Sequence, residues 1–316
     1  MGGLLPNRYA LIACLGVFSL WRGGLILVAT LASSVVTRRE VSSDGTVKLT
    51  FGAGLDAGYE ACLLKLPYRK IPRVICVSTQ IGCPLDCTFC AIGGKPFIRN
   101  LSAGEILDQI LTAARDLVWT DESFEVAAMG TGEPLFALQE LLEAIIEAKV
   151  HLPRLCSLNV STVGLPARIR EYAQTKVSGV ELNLQLSLHG TSDEQRRIVM
   201  PRASATAGLR LVLLACEEFS LLQSRDVVVN YLLLRGINDS SEDAQRLVNL
   251  LSPKHFNVKV SALNPILSGT VVGADYIALQ SFCSTLRTLG FVARVFTSAG
   301  ADISAGCGQF SNNLAF

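Results

Sequence analysis

The sequence predicts an α/β protein that folds as an incomplete parallel (β/α)6-type TIM barrel. Short runs of β-branched residues alternate with helical stretches after Asp44, which is typical of parallel βαβ units. The chain holds six or seven such units, too many for a small open sheet and slightly too few for a complete eight-stranded barrel. Because no repeat or low-complexity linker divides this region, residues 46–316 are predicted to form one domain.

The predicted elements alternate from residue 74 onward. The strands are Val74–Thr79, Glu125–Met129, Ser157–Ser161, Glu181–Ser187, Val227–Leu233, Val258–Ala262 and Val292–Phe296. The helices that fill the gaps are Ala103–Val118, Leu138–Lys149, Pro166–Gln174, Ala205–Glu218, Glu242–Leu251 and Asp275–Leu289.

Polar segments follow several of the predicted strands directly. Cys83–Cys90 follows the first strand, Gly130–Pro134 the second, Ser161–Gly164 the third and Ser187–His189 the fourth, and Asn264 lies just past the sixth. In parallel βα folds, ligands bind at the carboxyl ends of the strands, where the βα loops converge. These separated segments are therefore expected to face one site.

Three of the ten cysteines lie within eight residues, as Cys83, Cys87 and Cys90. This crowding indicates metal ligation in a reducing compartment rather than a disulfide framework, although buried free cysteines are the plainer alternative. Three thiolates can hold three irons of a cubane and leave the fourth iron open to another ligand. Zinc usually takes four protein ligands, and no second cysteine pair lies nearby.

Residues 1–45 are predicted to be a separate apolar segment of uncertain role. The run from Tyr9 to Val36 is interrupted by Arg22, whose insertion in a bilayer would cost roughly 2.5–3.5 kcal/mol. A buried or vestigial helical segment is favoured, and a membrane-associated anchor or a cleaved signal peptide remains open. Export would place an oxygen-sensitive cluster outside the cytosol.

The composition gives general limits on function. Half of the residues are apolar and 17% are charged, which is typical of a well-packed globular protein. The net charge of +1 creates no global basic field, so a nucleic-acid partner would have to be held by a local patch.

From about Val41 to Asn312 the chain resembles the RlmN/Cfr family of radical S-adenosylmethionine (SAM) enzymes. These enzymes methylate carbon 2 or carbon 8 of an adenine in ribosomal RNA, and RlmN also acts on transfer RNA. The resemblance implies a barrel of the radical SAM type, with a [4Fe-4S] cluster on the three crowded cysteines and SAM as the second cofactor. It rests on ordered matches at Cys76–Cys83, the cysteine loop with Phe89, Arg99–Leu101, Met129–Leu135, Ser187–His189, Gly236–Asp239, Asn264–Pro265 and Gly306–Gln309.

The resemblance also implies a set of residues that bind SAM. Gly132 and Glu133 would border the amino group of the cofactor, since glycine permits close backbone approach and a carboxylate accepts hydrogen bonds from an ammonium. The other implied contacts are Ser161, Ser187, Leu188, His189 and Asn264.

Three residues receive catalytic roles from the resemblance. Cys307 would take a methyl group from one SAM, and a radical made from a second SAM would activate that methyl for addition to the adenine carbon. Cys76 would release the RNA by forming a disulfide with Cys307. Glu60 is the nearest match to the glutamate that removes the adenine proton, but it aligns only across a three-residue insertion and is otherwise a solvated surface carboxylate.

The chain departs from the family pattern in three places. The first 45 residues are too short and too apolar to be a clear copy of the family's helical accessory domain. Thr297–Ile303 lacks the basic residues that the family carries before its Gly-x-Asp-Ile, which removes phosphate contacts there. Met200–Ser204 replaces an asparagine-basic-tyrosine stretch.

The leading hypothesis is an RNA adenine methyltransferase of the two-cysteine type. The alternatives are a radical SAM methylase of a non-RNA aromatic substrate and a non-catalytic cluster-binding protein. The expected partners are ribosomal RNA, with transfer RNA as a second class, and an electron donor such as flavodoxin or ferredoxin. A cytoplasmic monomer without stable membrane association is expected.

Overall fold

The computed structural model describes residues 34–53, 56–115, 122–267 and 269–310. Its strands are β1 Val35–Val41, β2 Val47–Ala53, β3 Asp56–Lys65, β4 Arg73–Val77, β5 Gln80–Ile81, β6 Arg99–Asn100, β7 Phe124–Ala128, β8 Leu155–Thr162, β9 Glu181–Ser187, β10 Val227–Leu232, β11 Phe256–Ser261 and β12 Ala293–Phe296. Its helices are α1 Ala103–Ala114, α2 Leu138–His151, α3 Pro166–Gln174, α4 Asp193–Val199, α5 Pro201–Thr206, α6 Leu209–Gln223, α7 Ser241–Leu250 and α8 Tyr276–Thr288.

Ten strands form one sheet in the order β1-β2-β3-β4-β7-β8-β9-β10-β11-β12, and β5 pairs with β6 in a small second sheet. Within the large sheet, β4 and the six strands β7 to β12 pair with one another in parallel, as βα crossovers require. The sheet has β1 and β12 at opposite edges, so the barrel stays open. This arrangement confirms the predicted incomplete parallel barrel.

All seven predicted strands are present, with bounds that shift by one or two residues at most of their ends. The predicted helix Ala205–Glu218 instead begins at Leu209 and continues to Gln223. Its first residues belong to α5, and the chain is extended at Ala207 and Gly208, which separates the two helices. The end of the predicted helix Ala103–Val118 lies outside the described residues.

Three antiparallel strands, β1 to β3, extend the sheet beyond β4 and were not predicted. The boundary expected at residue 45 falls in the turn between β1 and β2, so residues 35–41 share a sheet with the strands that follow. Most of the apolar run from Tyr9 to Val36 lies outside the described residues. Among the described residues, no helix is both long and apolar enough to cross a bilayer.

The turn between β1 and β2 contacts the loop that follows β12. Ser42 Oγ donates to Asp302 Oδ1 at 2.5 Å, and the backbone N–H of Ser43 donates to Asp302 Oδ2 at 3.2 Å. The backbone N–H of Gly300 donates to Asp44 Oδ2 at 2.8 Å. Side-chain contacts therefore connect the two ends of the sheet where strand pairing does not.

Candidate active site

The cysteine loop follows β4 and lies between β5 and β6. Cys83 is buried, whereas Cys87 and Cys90 are half-buried. The loop is tight at Gly93, where a Cβ atom would lie 2.4 Å from the carbonyl oxygen of Cys87. A larger residue at Gly93 would therefore force the ligand loop apart.

The helices α4 and α5 support the cysteine loop from the side. The backbone N–H of Thr88 donates to the carbonyl of Val199 at 3.0 Å, and Arg202 Nη1 donates to the carbonyl of Pro84 at 3.1 Å. Met200 is fully buried in the same apolar cluster as Cys83. The stretch Met200–Ser204, which departs from the family pattern, thus has a structural role here.

The three thiols line one cavity of about 150 Å³ that is partly open to solvent, called here the cluster cavity. In the described part of the chain, no group of three His, Cys, Asp or Glu side chains converges on a single metal ion. Three thiols on the wall of one cavity fit a cubane, in which each thiolate binds a different iron. Burial raises the pKa of Cys83 to about 12 and also raises the pKa of Cys87 and Cys90, so cations are needed to hold these sulfurs as thiolates.

Arg196 adds a second observation that fits an anionic group nearby. Its side chain is buried and interacts electrostatically with Cys87. Its Nη2 donates to the carbonyl of Val163 at 2.5 Å, while Nε and Nη1 have no hydrogen-bond partner among the described residues. Unpaired buried donors of a cation are costly, and a negatively charged cluster or cofactor would compensate them.

The turn after β7 forms one wall of the cluster cavity. Gly132 has a φ of +111°, and a Cβ atom there would lie 2.7 Å from the side chain of Gln80. Glu133 is buried, with Oε1 accepting from the Leu135 N–H at 3.2 Å and Oε2 from the Val163 N–H at 3.0 Å. Burial raises the pKa of Glu133 to about 7.

Ser161, Gln185 and Ser187 also line the cluster cavity, and hydrogen bonds connect them to Lys259 on β11. Ser161 Oγ lies 3.4 Å from Ser187 Oγ and accepts from Gln185 Nε2 at 3.2 Å. Lys259 Nζ donates to Gln185 Oε1 at 2.7 Å. Sequence reasoning missed Gln185 and Lys259, although a lysine inside the apolar run Val258–Ala262 was a usable signal.

His189 lines the cluster cavity in a strained conformation, with a φ of +53°. Its Nδ1 accepts from the Leu232 N–H at 3.0 Å, so the neutral ring carries its proton on Nε2. Burial, with smaller contributions from Arg196 and Lys259, lowers the pKa of His189 to about 3. The ring packs edge-on against Phe89 of the cysteine loop, with 4.7 Å between the two ring centroids.

Leu188, the residue before His189, is fully buried and is not among the residues that line the cluster cavity.

Cys307 is exposed and lies in a loop held by Asn264. Asn264 Nδ2 donates to Ser298 Oγ and to the carbonyl of Cys307, both at 2.8 Å. The backbone N–H of Ala91 donates to the carbonyl of Gly308 at 2.7 Å, which ties this loop to the cysteine loop. Asn264, for which a contact with SAM is predicted, also supports Cys307 and is not among the residues that line the cluster cavity.

Cys76 and Cys307 both line a second cavity of about 1530 Å³, open to solvent, called here the barrel cavity. Cys307 also lines the cluster cavity, so it stands where the two cavities meet. Burial raises the pKa of Cys76 to about 12. Cys62, which sequence reasoning did not single out, is the cross-strand register partner of Cys76.

Glu60 is buried in an ion pair and lines neither cavity. Lys48 Nζ lies 2.8 Å from Glu60 Oε1, and both side chains are almost fully shielded, at 0% and 2% exposure. Lys48 also donates to the carbonyl of Ser304 at 3.1 Å. The pair therefore connects β2 and β3 to the loop that precedes Cys307.

We expect Glu60→Gln to lower the free energy of unfolding by about 3–5 kcal/mol, because it leaves the buried Lys48 ammonium without its counter-charge. Urea unfolding of the full chain measures this change. The control is Glu171→Gln, which removes an exposed ion pair with Arg168 and should cost less than about 1 kcal/mol. Equal losses in the two variants would contradict a structural role for the Lys48 pair.

Comparison with known proteins places these features in a family. The model of the radical SAM superfamily matches residues 77–248. A probable dual-specificity RNA methyltransferase RlmN from Thermus thermophilus is 35% identical over 275 residues, covering 85% of this chain and 75% of the relative. The dual-specificity RNA methyltransferase RlmN from Syntrophobacter fumaroxidans is 34% identical over 278 residues, covering 87% of this chain and 79% of the relative.

Solved structures agree with this placement. The crystal structure of a radical SAM methyltransferase from Sphaerobacter thermophilus matches with a TM-score of 0.81 and 29% identity, covering 89% of this chain and 82% of the other. Streptococcus suis SuiB bound to SAM matches with a TM-score of 0.51 at 16% identity and supports the fold alone. The chain thus belongs to the radical SAM superfamily and, within it, to the RlmN family, and its cofactors are a [4Fe-4S] cluster and SAM.

Proposed function

We propose that this enzyme methylates an adenine carbon, C2 or C8, of ribosomal or transfer RNA through a methylated Cys307. The observation that carries the proposal is the position of Cys307, which lines both the cluster cavity and the barrel cavity. A thiol at this junction has access to a cofactor on one side and to a substrate and Cys76 on the other. The names of the RlmN relatives support RNA as the substrate.

Each residue of the site has its own role in the proposed reaction. Cys83, Cys87 and Cys90 would hold the cluster, and Gly132, Glu133, Ser161, Ser187 and His189 would border SAM. When bound, these cofactors supply a methyl group and a hydrogen-abstracting radical. Leu188 and Asn264 belong to the proposed SAM site as well; Leu188 is fully buried, and Asn264 also holds the Cys307 loop.

The Cys307 thiolate would attack the methyl carbon of SAM, with S-adenosylhomocysteine as the leaving group. After radical activation, addition of that carbon to the adenine, with loss of one electron to the oxidised cluster, would join the RNA to Cys307 by a thioether. The Cys76 thiolate would then attack the sulfur of Cys307 and break its bond to the methylene carbon, which takes up a proton as the methyl group of the RNA; the disulfide left behind must be reduced before the next cycle. The burial that raises the pKa of Cys76 keeps this thiol protonated in the resting protein. For Glu60 to accept the adenine proton, its ion pair with Lys48 would have to open.

The test is anaerobic turnover of the reconstituted protein with methyl-labelled SAM and protein-free ribosomal RNA, read by mass spectrometry of RNA nucleosides. Methyladenosine that disappears in Cys307→Ala would support the proposal and identify the carbon. Cleavage of SAM to 5′-deoxyadenosine without label in RNA would reject RNA as the substrate and favour another aromatic acceptor. No cleavage by the cluster-loaded protein would favour a non-catalytic protein.

SAM affinity is expected to rise roughly tenfold as the pH rises through about 7, because Glu133 must ionise to accept hydrogen bonds from the ammonium of SAM. Equilibrium binding of SAM across this pH range measures the effect. Glu133→Gln leaves one backbone N–H poorly paired, which can itself weaken SAM binding. The comparison with the wild type therefore uses the change of SAM affinity with pH and not the affinity at one pH. An unchanged slope in Glu133→Gln would exclude Glu133 as the titrating group.

We further propose that the protein works as a cytoplasmic monomer with an electron donor such as flavodoxin or ferredoxin. All nine cysteines in the described residues are free thiols, which is typical of a reducing compartment. The cluster must be reduced by one electron at a time, which these small carriers can supply.

A further inference from the structure

The barrel cavity carries more positive than negative side chains. Its lining includes five cations and three carboxylates, of which two carboxylates are engaged in ion pairs. Arg69 lies 2.6 Å from Glu125, and Arg225 lies 2.6 Å from Glu181. The remaining lining cations are Lys70, Lys259 and Arg294, and no carboxylate of the described residues lies within ion-pair distance of them.

Lys259 and Arg294 lie side by side as register partners on the parallel strands β11 and β12. Lys259 is only 5% exposed, and its contacts are the neutral Gln185 amide and the ring of Phe296, whose centroid lies 4.4 Å from Nζ. Burial, with smaller contributions from Arg294 and Arg69, lowers the pKa of Lys259 to about 8, although Cys307 acts in the opposite direction. Neighbouring cations in a shielded cavity repel each other unless an anion binds between them.

An exposed aromatic side chain lines the same cavity. Tyr68 is 68% exposed, directly precedes Arg69, and interacts electrostatically with Arg294. An exposed tyrosine beside cations is the combination that binds single-stranded nucleic acid, because bases stack on the ring while the cations hold phosphates. The segment Thr297–Ala299, which lacks the basic residues of the family, lines this cavity as well.

We propose that single-stranded RNA docks in the barrel cavity, with a phosphate held by Lys259 and Arg294 and a base stacked on Tyr68. This inference rests on the proposed function and gives it a docking surface. The cations that the chain lacks at Thr297–Ala299 are supplied by the neighbouring strands β11 and β12. Cys307 and Cys76 line the same cavity, so RNA bound there would lie beside the thiols that act on it.

The test measures binding of a fluorescent single-stranded RNA oligonucleotide to the full chain by anisotropy, over a series of salt concentrations. Arg294→Gln and Lys259→Gln should each make the slope of log affinity against log salt shallower, by no more than about 0.7, the value for the one phosphate contact that the two cations share. Tyr68→Ala should weaken binding roughly fivefold to a hundredfold, whereas Tyr68→Phe should bind as the wild type does. The matched control is Arg210→Gln, an exposed cation at the start of α6.

The outcomes separate this inference from the proposed function. If the wild type neither binds nor methylates RNA, the proposed function fails and the docking surface fails with it. If the wild type methylates RNA but the three cavity variants bind RNA like Arg210→Gln, only the docking surface is wrong. Cleavage of SAM to 5′-deoxyadenosine without RNA should stay unchanged in Arg294→Gln and Tyr68→Ala, which shows that these variants fold. Loss of that cleavage in both would assign them to the fold and overturn the docking role.

Discussion

Cys87→Ala is expected to eliminate the cluster and, with it, all reductive cleavage of SAM. Two thiolates cannot hold three irons of a cubane. Cys87 lines the cluster cavity together with Cys83 and Cys90. Iron and sulfide content per chain measure the cluster, and 5′-deoxyadenosine production measures the cleavage. The matched control is Cys283→Ala, a buried cysteine on α8 outside both cavities.

The control separates loss of the cluster from loss of the fold. Cys283→Ala should retain the iron and the cleavage of the wild type, although it creates a small void in the core. If Cys87→Ala kept as much iron and produced as much 5′-deoxyadenosine as Cys283→Ala, the cluster would have to be held by other residues.

Cys76→Ala is expected to stop the release of methylated RNA and to accumulate RNA bound covalently to the enzyme. Without the second thiol, nothing in the proposed reaction attacks the thioether at Cys307. A denaturing gel with labelled RNA detects the adduct, and nucleoside analysis detects the released product. Cys307→Ala should give neither adduct nor product, because it cannot accept the methyl group.

Cys62→Ala is the matched control for Cys76, since both thiols are buried and face each other across β3 and β4. It should turn over without accumulating an adduct. Normal turnover by Cys76→Ala, or adduct formation by Cys62→Ala in its place, would show that Cys76 does not resolve the thioether.

The parallel part of the fold could be predicted because each strand is a short apolar run with polar residues immediately after it. The same reasoning failed for β1 to β3. In β2, Val47, Leu49 and Phe51 alternate with Lys48 and Thr50, a period of two that indicates a strand. The exposed and charged β1 offers no such signal, and its pairing with β2 depends on the rest of the sheet.

The site could be predicted only where a motif is contiguous. The cysteine loop and the Gly132–Glu133 turn carry their chemistry in a few adjacent residues. The partners in contacts over long separations could not be predicted from the sequence, even where one residue, such as Lys259, stands out in an apolar run. The support of Cys307 by Asn264 joins residues 43 positions apart, and the Lys259 to Gln185 bond joins residues 74 positions apart. An amide or a lysine acquires its role only from the residue that the fold brings next to it.

The superfamily model covers residues 77–248, a span that contains the three cluster cysteines and the turn at Glu133. Cys76 lies one position before it, and Cys307 lies well after it. In the proposed reaction, the residues that would generate the radical are thus separate in sequence from Cys76 and Cys307, which would accept the methyl group and release the RNA. Outside that span, Asp302 and Lys48 connect the opening strands to the loop that carries Cys307. A change of substrate could therefore evolve at the two ends of the chain while the radical-forming middle stays the same.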